Sequence, residues 1–219
     1  MGCNKMRGSS KAQWDEIYRT EQGSPAIQNG LTKLTAFFKR KEVQKILDLG
    51  CGSGRDLIYL AELGFELYGL DFSEEGIRAA STRIQEKNLP MNLKVSSIYE
   101  KLPYEDQVFD AIIGIRTLHH GTIENIRALI QEIERILKPH GLIYITVRKR
   151  IAEKKRLASQ EIAPRTYIPL EGKEKGVIHY LFNKSILKKE FSRFKILELG
   201  IIYGPQAWEA YYHLLGELI

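Results

Sequence analysis

Two hydrophobic periods alternate along the 219-residue chain. Short apolar runs at KILDLG (45–50), FELYGLD (65–71), NLKV (92–95), DAIIGI (110–115) and LIYITV (142–147) read as strands. Between them, apolar residues return every three or four positions. A helix starts near Arg55 and closes at Gly64. Another follows Ser73, a capping residue with Glu74 and Glu75 in the first turn, where acids suit the helix dipole. Ile123, Ile126, Ile130, Ile133 and Leu137 mark one stripe between Thr122 and Lys138, and Pro139 and Gly141 end that helix. Parallel strands need crossovers, and helices supply them, so the alternation predicts an α/β fold with a parallel sheet covered on both faces.

The flanks follow other patterns. Residues 1–10 read as a loose terminus, and 11–20 as a short amphipathic stretch with Trp14, Ile17 and Tyr18 on one side. Ser24-Pro25 reads as a helix start, with Ile27, Leu31, Leu34 and Phe38 giving a helix over 25–41. After the fifth strand, 148–156 carries six basic groups, a pattern more often found on a solvated face. Residues 157–176 hold Pro164, Pro169, Gly172 and Gly176 without clear periodicity, so 148–176 is expected to be an irregular insertion. A helix at 184–192 and a strand at 194–203 follow. Segment 211–219 is expected to pair antiparallel with that strand.

Composition changes this picture little. Apolar residues make up 43% of the chain, which supports a core, and no apolar run approaches the ~20 residues of a membrane span. The start has no apolar signal region, and two cysteines, Cys3 and Cys51, make no disulfide framework or zinc motif, so a reducing cytoplasm is expected. A net charge of +6 permits an anionic or RNA substrate without requiring either.

The candidate chemistry lies in Asp48-Leu49-Gly50-Cys51-Gly52-Ser53-Gly54, directly after a strand and opening a helix. Glycines let the backbone turn sharply and bring its N–H groups up to a ligand. A dinucleotide fingerprint counted from Gly50 and Gly52 needs glycine at position 55, which is Arg55; the third glycine comes one place early, at Gly54. Asp71 ends the second strand, where a carboxylate accepts hydrogen bonds from ribose hydroxyls; its plain alternative is an acid beside the Ser73 cap. Phe72 either faces an adenine or fills the core.

The D-x-G-x-G-x-G set resembles motif I of the class I S-adenosylmethionine-dependent methyltransferases, in particular the small stand-alone prokaryotic type. Leu102-Pro103-Tyr104 with Phe109-Asp110 looks like the L-P-[FY]…F-D stretch of that family. EIERILKPHGLIYITV (132–147) is similar to its E-x-x-R-[VIL]-L-K-P-G-G segment, with His140 in place of the first glycine. The resemblance covers about 45–147 strongly and the rest loosely. It implies a Rossmann-like three-layer sandwich, with a seven-stranded, mostly parallel sheet and an antiparallel last strand. The implied cofactor is S-adenosylmethionine, held by Asp48, Gly50, Cys51, Gly52, Gly54, Asp71 and Phe72. Ser97 stands where the family often has an acid near the adenine amine, with Ile98 beside it as a further cofactor-binding candidate, and Arg116 near the methionine end.

By the same resemblance, His119 and His120 line the acceptor site, one of them a candidate base; they could equally be loop histidines bonded to backbone. Tyr18, Tyr167 and His179 are the further acceptor-side candidates. Adjacent histidines rarely chelate one ion together, so no metal is expected. The chain reads as one domain: an N-terminal lid with helices (1–44), a cofactor-binding core (45–147), a substrate-side insertion (148–182), and a C-terminal helix and hairpin (183–219). The expected activity is methyl transfer to a small-molecule acceptor. Wobble-uridine tRNA enzymes of the superfamily share a similar His-His pair and form the alternative, although the chain shows no RNA-binding module. A dinucleotide-dependent oxidoreductase and a non-catalytic cofactor binder remain as further readings.

Overall fold

The structure is a computed structural model, and it describes residues 3–20, 30–149, 158–204 and 209–219. Its main sheet contains β1 (Lys45–Leu49), β2 (Glu66–Asp71), β3 (Met91–Val95), β4 (Phe109–Ile115), β5 (Leu137–Arg148), β9 (Phe194–Tyr203) and β10 (Ala210–Leu218). Their order is β3-β2-β1-β4-β5-β10-β9. The first five run parallel, and β10 lies antiparallel between β5 and β9. This is the expected seven-stranded sheet with its antiparallel last strand. The chain leaves β1 in one direction to β2 and β3 and returns on the other side to β4 and β5. A crevice therefore opens between the carboxyl ends of β1 and β4.

Side chains alternate across the strands and feed two cores. Leu47, Leu49, Ile112, Ile143 and Ile145 face α5 (Ile123–Ile136) through Ile126, Leu129, Ile130 and Ile133. Ile46, Leu67, Ala111, Ile113 and Leu142 face α2 (Leu31–Arg40) and α3 (Arg55–Glu62). The caps follow the sequence: Ser73 Oγ accepts from Gly76 N at 3.0 Å at the start of α4 (Glu74–Glu86), and Thr122 and Asn125 form a reciprocal capping box on α5.

Two motif residues prove to be braces. Arg135 donates to the carbonyls of Tyr104 at 2.8 Å and Leu102 at 3.1 Å, and pairs with Glu132 at 2.6 Å and Asp106 at 2.9 Å. Asp110 accepts from the backbone N–H groups of Gln44 and Lys45 and from Lys138 Nζ, pinning the start of β1. Arg135→Ala strands two carbonyls and a half-buried carboxylate. Chemical denaturation is expected to show a loss of about 2–4 kcal/mol, with ligand binding at the crevice unchanged.

Several expectations need correction. The first helix, α1 (Cys3–Thr20), runs back through the segment read as loose; no proline or β-branched residue interrupts Cys3–Gln13. α2 begins at Leu31, and the part of the predicted 25–41 helix at 25–29 lies outside the described residues. The insertion is not irregular: β6 (Ser159–Ala163), β7 (Thr166–Pro169) and β8 (His179–Tyr180) form a small antiparallel sheet. Its two-to-five-residue strands are too short to show a period. α6 (Lys184–Glu190) falls where expected. His140 has φ +62°, the left-handed conformation that explains why a glycine suits that place.

Candidate active site

The glycine turn closes at the carboxyl end of β1. Gly50, Gly52 and Gly54 all take positive φ, at 73°, 52° and 79°. Gly50 N and Cys51 N both donate to the Leu70 carbonyl, at 2.7 and 3.1 Å. Gly52 N donates to Asp71 Oδ2 at 2.9 Å, and Ser73 N to Asp71 Oδ1 at 2.9 Å. The turn's first three amides are thus committed to β2 and unavailable for a diphosphate. Asp48, Asp56 and Asp71 are all buried beside the turn, with Asp56 held by a two-point pair to Arg55 at 2.9 Å. Burial, with Asp56 and Asp71 nearby, pushes the Asp48 carboxyl well above the usual range. This crevice repels anions and suits a cationic ligand.

Asp71 is pushed up to about 6, because burial outweighs the amides of Ser73 and Gly52 that favour the carboxylate. Its remaining lone pairs are the acceptors available to a sugar. Affinity for a ribose-bearing ligand should therefore fall as pH drops through about 6, where the carboxyl takes up a proton; calorimetry between pH 8 and 5 reads this directly. The ligand-free fold responds in the opposite sense. The unfolded chain releases this proton near the ordinary value of 3.8 while the folded chain keeps it to about 6, so this group's contribution to stability declines as pH rises across that interval.

A cavity of about 1100 Å³ runs from this turn to the insertion. Asp48, Gly50, Cys51, Gly52, Asp71, Phe72, Ser97, Ile98 and Arg116 all line it, as do Tyr18, His119, His120, Tyr167 and His179. Gly54 does not. It caps α3 and lets Ala80 of α4 approach, since a Cβ there would sit 2.9 Å from the Ala80 Cβ. Ser97 Oγ accepts from Tyr99 N at 3.2 Å. Arg116 follows β4 directly in a left-handed conformation, φ +58°, held by donation from its N–H to Thr146 Oγ1 at 2.8 Å. Strain of that kind collects at functional corners.

α1 roofs the crevice. Asp15 accepts from Ser73 Oγ at 2.5 Å, Lys11 pairs with Glu74 at 2.6 Å, and Tyr18 packs on Gly52 and Gly76. Gln13 reaches across to donate to the Lys173 carbonyl of the insertion at 2.8 Å. α1 and the insertion thus meet over the cavity.

At the far end three histidines converge. The His119 carbonyl accepts from Tyr180 N at 2.7 Å, which draws β8 onto the loop after β4 and brings His179 beside the pair. Ring centroids lie 4.2 Å apart for His119–His120, 4.8 Å for His120–His179 and 5.6 Å for His119–His179. Trp14 of the lid meets His120 edge-on at 5.1 Å. Burial lowers the pKa of all three, those of His119 and His179 well below the ordinary value, so the imidazoles are neutral near pH 7.

Glu174, Arg148 and Tyr211 also line this end without being among the residues the sequence pointed to, and Trp14 of the expected lid segment joins them. Arg148 was grouped with the solvated basic run, yet its side chain is largely covered, 3.4 Å from Glu174 and 5.7 Å from the Tyr211 ring centroid. Its place at the last residue of β5 was the available signal, because strand carboxyl ends face the crevice. Residues 150–157 of that run lie outside the described residues.

Comparison with known proteins agrees with this geometry. Residues 46–141 match the family model described as a methyltransferase domain. A ubiquinone biosynthesis O-methyltransferase of Rickettsia akari is 31% identical over 121 residues, 55% of this chain and 47% of that protein. The chain spans about half the length of the first curated relatives it matches. A SAM-dependent methyltransferase structure from Methanosarcina mazei superposes with a TM-score of 0.72 at 22% identity, covering 81% of this chain and 93% of that one. A Burkholderia thailandensis 1,6-didemethyltoxoflavin-N1-methyltransferase, bound to 1,6-didemethyltoxoflavin and S-adenosylhomocysteine, gives 0.69 at 17% identity over 98% and 86%. The protein has the class I S-adenosylmethionine-dependent methyltransferase fold, and the stretch carrying the glycine turn, Asp71 and the histidine pair is the one that matches the methyltransferase-domain model.

Proposed function

We propose that the protein transfers a methyl group from S-adenosylmethionine to a small-molecule acceptor. One observation carries this reading: the glycine cradle at the β1 carboxyl end, ringed by Asp48 and Asp71, opens into the same cavity as the histidine cluster. The residues present fit the cofactor. The turn is tight, since a Cβ at Gly50 would strike the Thr117 side chain and one at Gly52 the Tyr18 ring, and the acids beside it suit a cation. When bound there, S-adenosylmethionine supplies a methyl already activated by its sulfonium. The chain's own task is to position, enclose and activate the acceptor.

Asp71 holds the ribose, Asp48 and the turn hold the amino-acid end, and Phe72 with Ser97 and Ile98 flanks the adenine. Tyr18, Trp14, Tyr167 and the insertion exclude water. His119, His120 and His179 line the acceptor end, and activating the acceptor is their role. Two of the relatives named above, the ubiquinone biosynthesis O-methyltransferase and the 1,6-didemethyltoxoflavin-N1-methyltransferase, carry the names of small molecules. His119 and His179 are also buried, and Trp14 of α1 covers His120, which favours a small acceptor over tRNA. The committed amides of the turn argue against a dinucleotide.

The test is calorimetry with S-adenosylmethionine and S-adenosylhomocysteine, followed by mass spectrometry of candidate phenolic, thiol and amine acceptors. Absence of binding by folded protein would overturn the reading. For an acceptor that turns over, His120→Ala should lower kcat by about 100-fold or more and leave cofactor affinity within about threefold.

A further inference from the structure

The buried histidines pose a problem of satisfaction. His119 Nδ1, His120 Nδ1 and His179 Nε2 are buried without a hydrogen-bond partner. Each such nitrogen, cut off from water, carries a desolvation penalty. The His120 ring instead faces the backbone carbonyls of Arg116 and Ile178. A carbonyl partner on one nitrogen fixes the proton there and leaves the other as a free lone pair, the usual arrangement behind a metal-bound histidine.

The three residues also converge. One ligand nitrogen from each lies within 4.8 Å of the others. Two nitrogens on one tetrahedral ion stand about 3.3 Å apart, so ring rotation closes the remaining gap. A fourth donor is present: Glu174 Oε2 lies 3.3 Å from His179 Nε2 without hydrogen-bond geometry. Arg148 lies 3.4 Å from the same carboxylate, which offsets its charge.

We propose that His119, His120 and His179, with Glu174, form a site for one divalent transition-metal ion at the acceptor end of the cavity. Three imidazoles and one carboxylate suit zinc or ferrous iron, whereas magnesium prefers all-oxygen ligands. All four side chains line the cavity, so a coordination position faces it. An ionisable oxygen or sulfur of the acceptor would complete the shell. This last point rests on the methyl-transfer reading; the metal site itself does not. The expectation of no metal rests on the adjacent pair and on the lack of an acid–His constellation beside it in the sequence. The third histidine arrives from β8, 59 residues after His120, and spacing gave no sign of it.

The full-length protein, stripped with chelator, would be titrated with Co²⁺ alone and followed by visible absorption. About one ion per chain should bind, with ligand-field bands and a raised melting temperature. His179→Gln and His120→Gln should each weaken Co²⁺ binding at least about tenfold, while circular dichroism and a cooperative melting transition confirm that each variant is folded. Glu174→Gln serves as the third variant should either histidine change disrupt the fold. No binding by the wild type, or equal binding by wild type and the folded variants, overturns the proposal. Cofactor binding without Co²⁺ binding overturns the metal site alone, and the reverse overturns the methyl-transfer reading alone.

Discussion

Asp71→Ala should raise the Kd for S-adenosylmethionine by about 100-fold or more, the largest single-residue effect expected on cofactor binding. A carboxylate accepting two sugar hydroxyls contributes about 1.5–3 kcal/mol per bond, and every 1.4 kcal/mol is tenfold. The variant also strands the N–H groups of Gly52 and Ser73, both bonded to Asp71 at 2.9 Å. Part of the loss is therefore a loosened cradle. Two comparisons separate these contributions. Asp71→Asn keeps one acceptor oxygen and should lose less. A ligand lacking the ribose hydroxyls should bind the wild type weakly and lose little more on Asp71→Ala, because the lost bonds were to those hydroxyls. A folded Asp71→Ala protein with an affinity within about threefold of wild type would mean that the sugar is held elsewhere.

The legible part of the molecule was the part governed by local pattern. Buried strands ending in glycine or acid, and helices opening on Ser73 and Thr122, follow from periodicity and capping chemistry, which act within a few residues. The cradle was legible for the same reason: Gly50, Gly52 and Asp71 are close in sequence or at a fixed strand separation. The acceptor end was legible only in part. Tyr167 and His179 entered as candidates through resemblance. Their convergence with His119 depends on the hydrogen bond from Tyr180 N to the His119 carbonyl, a long-range contact with no local signature. Glu174 and Arg148 were hidden in stretches whose charge reads as ordinary solvated surface. Glu132, Arg135 and Asp110 show the opposite limit. Their motif was evident, yet their role is to brace the loops under the site and not to touch a ligand.

The second large effect separates backbone strain from function. Gly50 and Gly64 both adopt positive φ, 73° and 90°, so alanine at either position is expected to cost about 1–2 kcal/mol from the left-handed backbone alone. They differ in surroundings. A Cβ at Gly64 meets nothing within 4 Å, so Gly64→Ala should lower Tm by only a few degrees and leave cofactor affinity unchanged. A Cβ at Gly50 would overlap the Thr117 side chain, standing 2.9 Å from its Cβ. Thr117 follows Arg116, whose left-handed backbone is already fixed against Thr146, so the corner has little freedom to retreat. Overpacking of this kind adds about 1–3 kcal/mol, and the corner it displaces lines the cavity. Gly50→Ala should therefore lose about 2–5 kcal/mol of stability and at least about 30-fold in affinity for S-adenosylmethionine. Scanning calorimetry and ligand titration of the two variants side by side make the comparison. Equal losses of affinity in both would mean that strain acts globally, and that the turn after β1 has no special contact with the ligand.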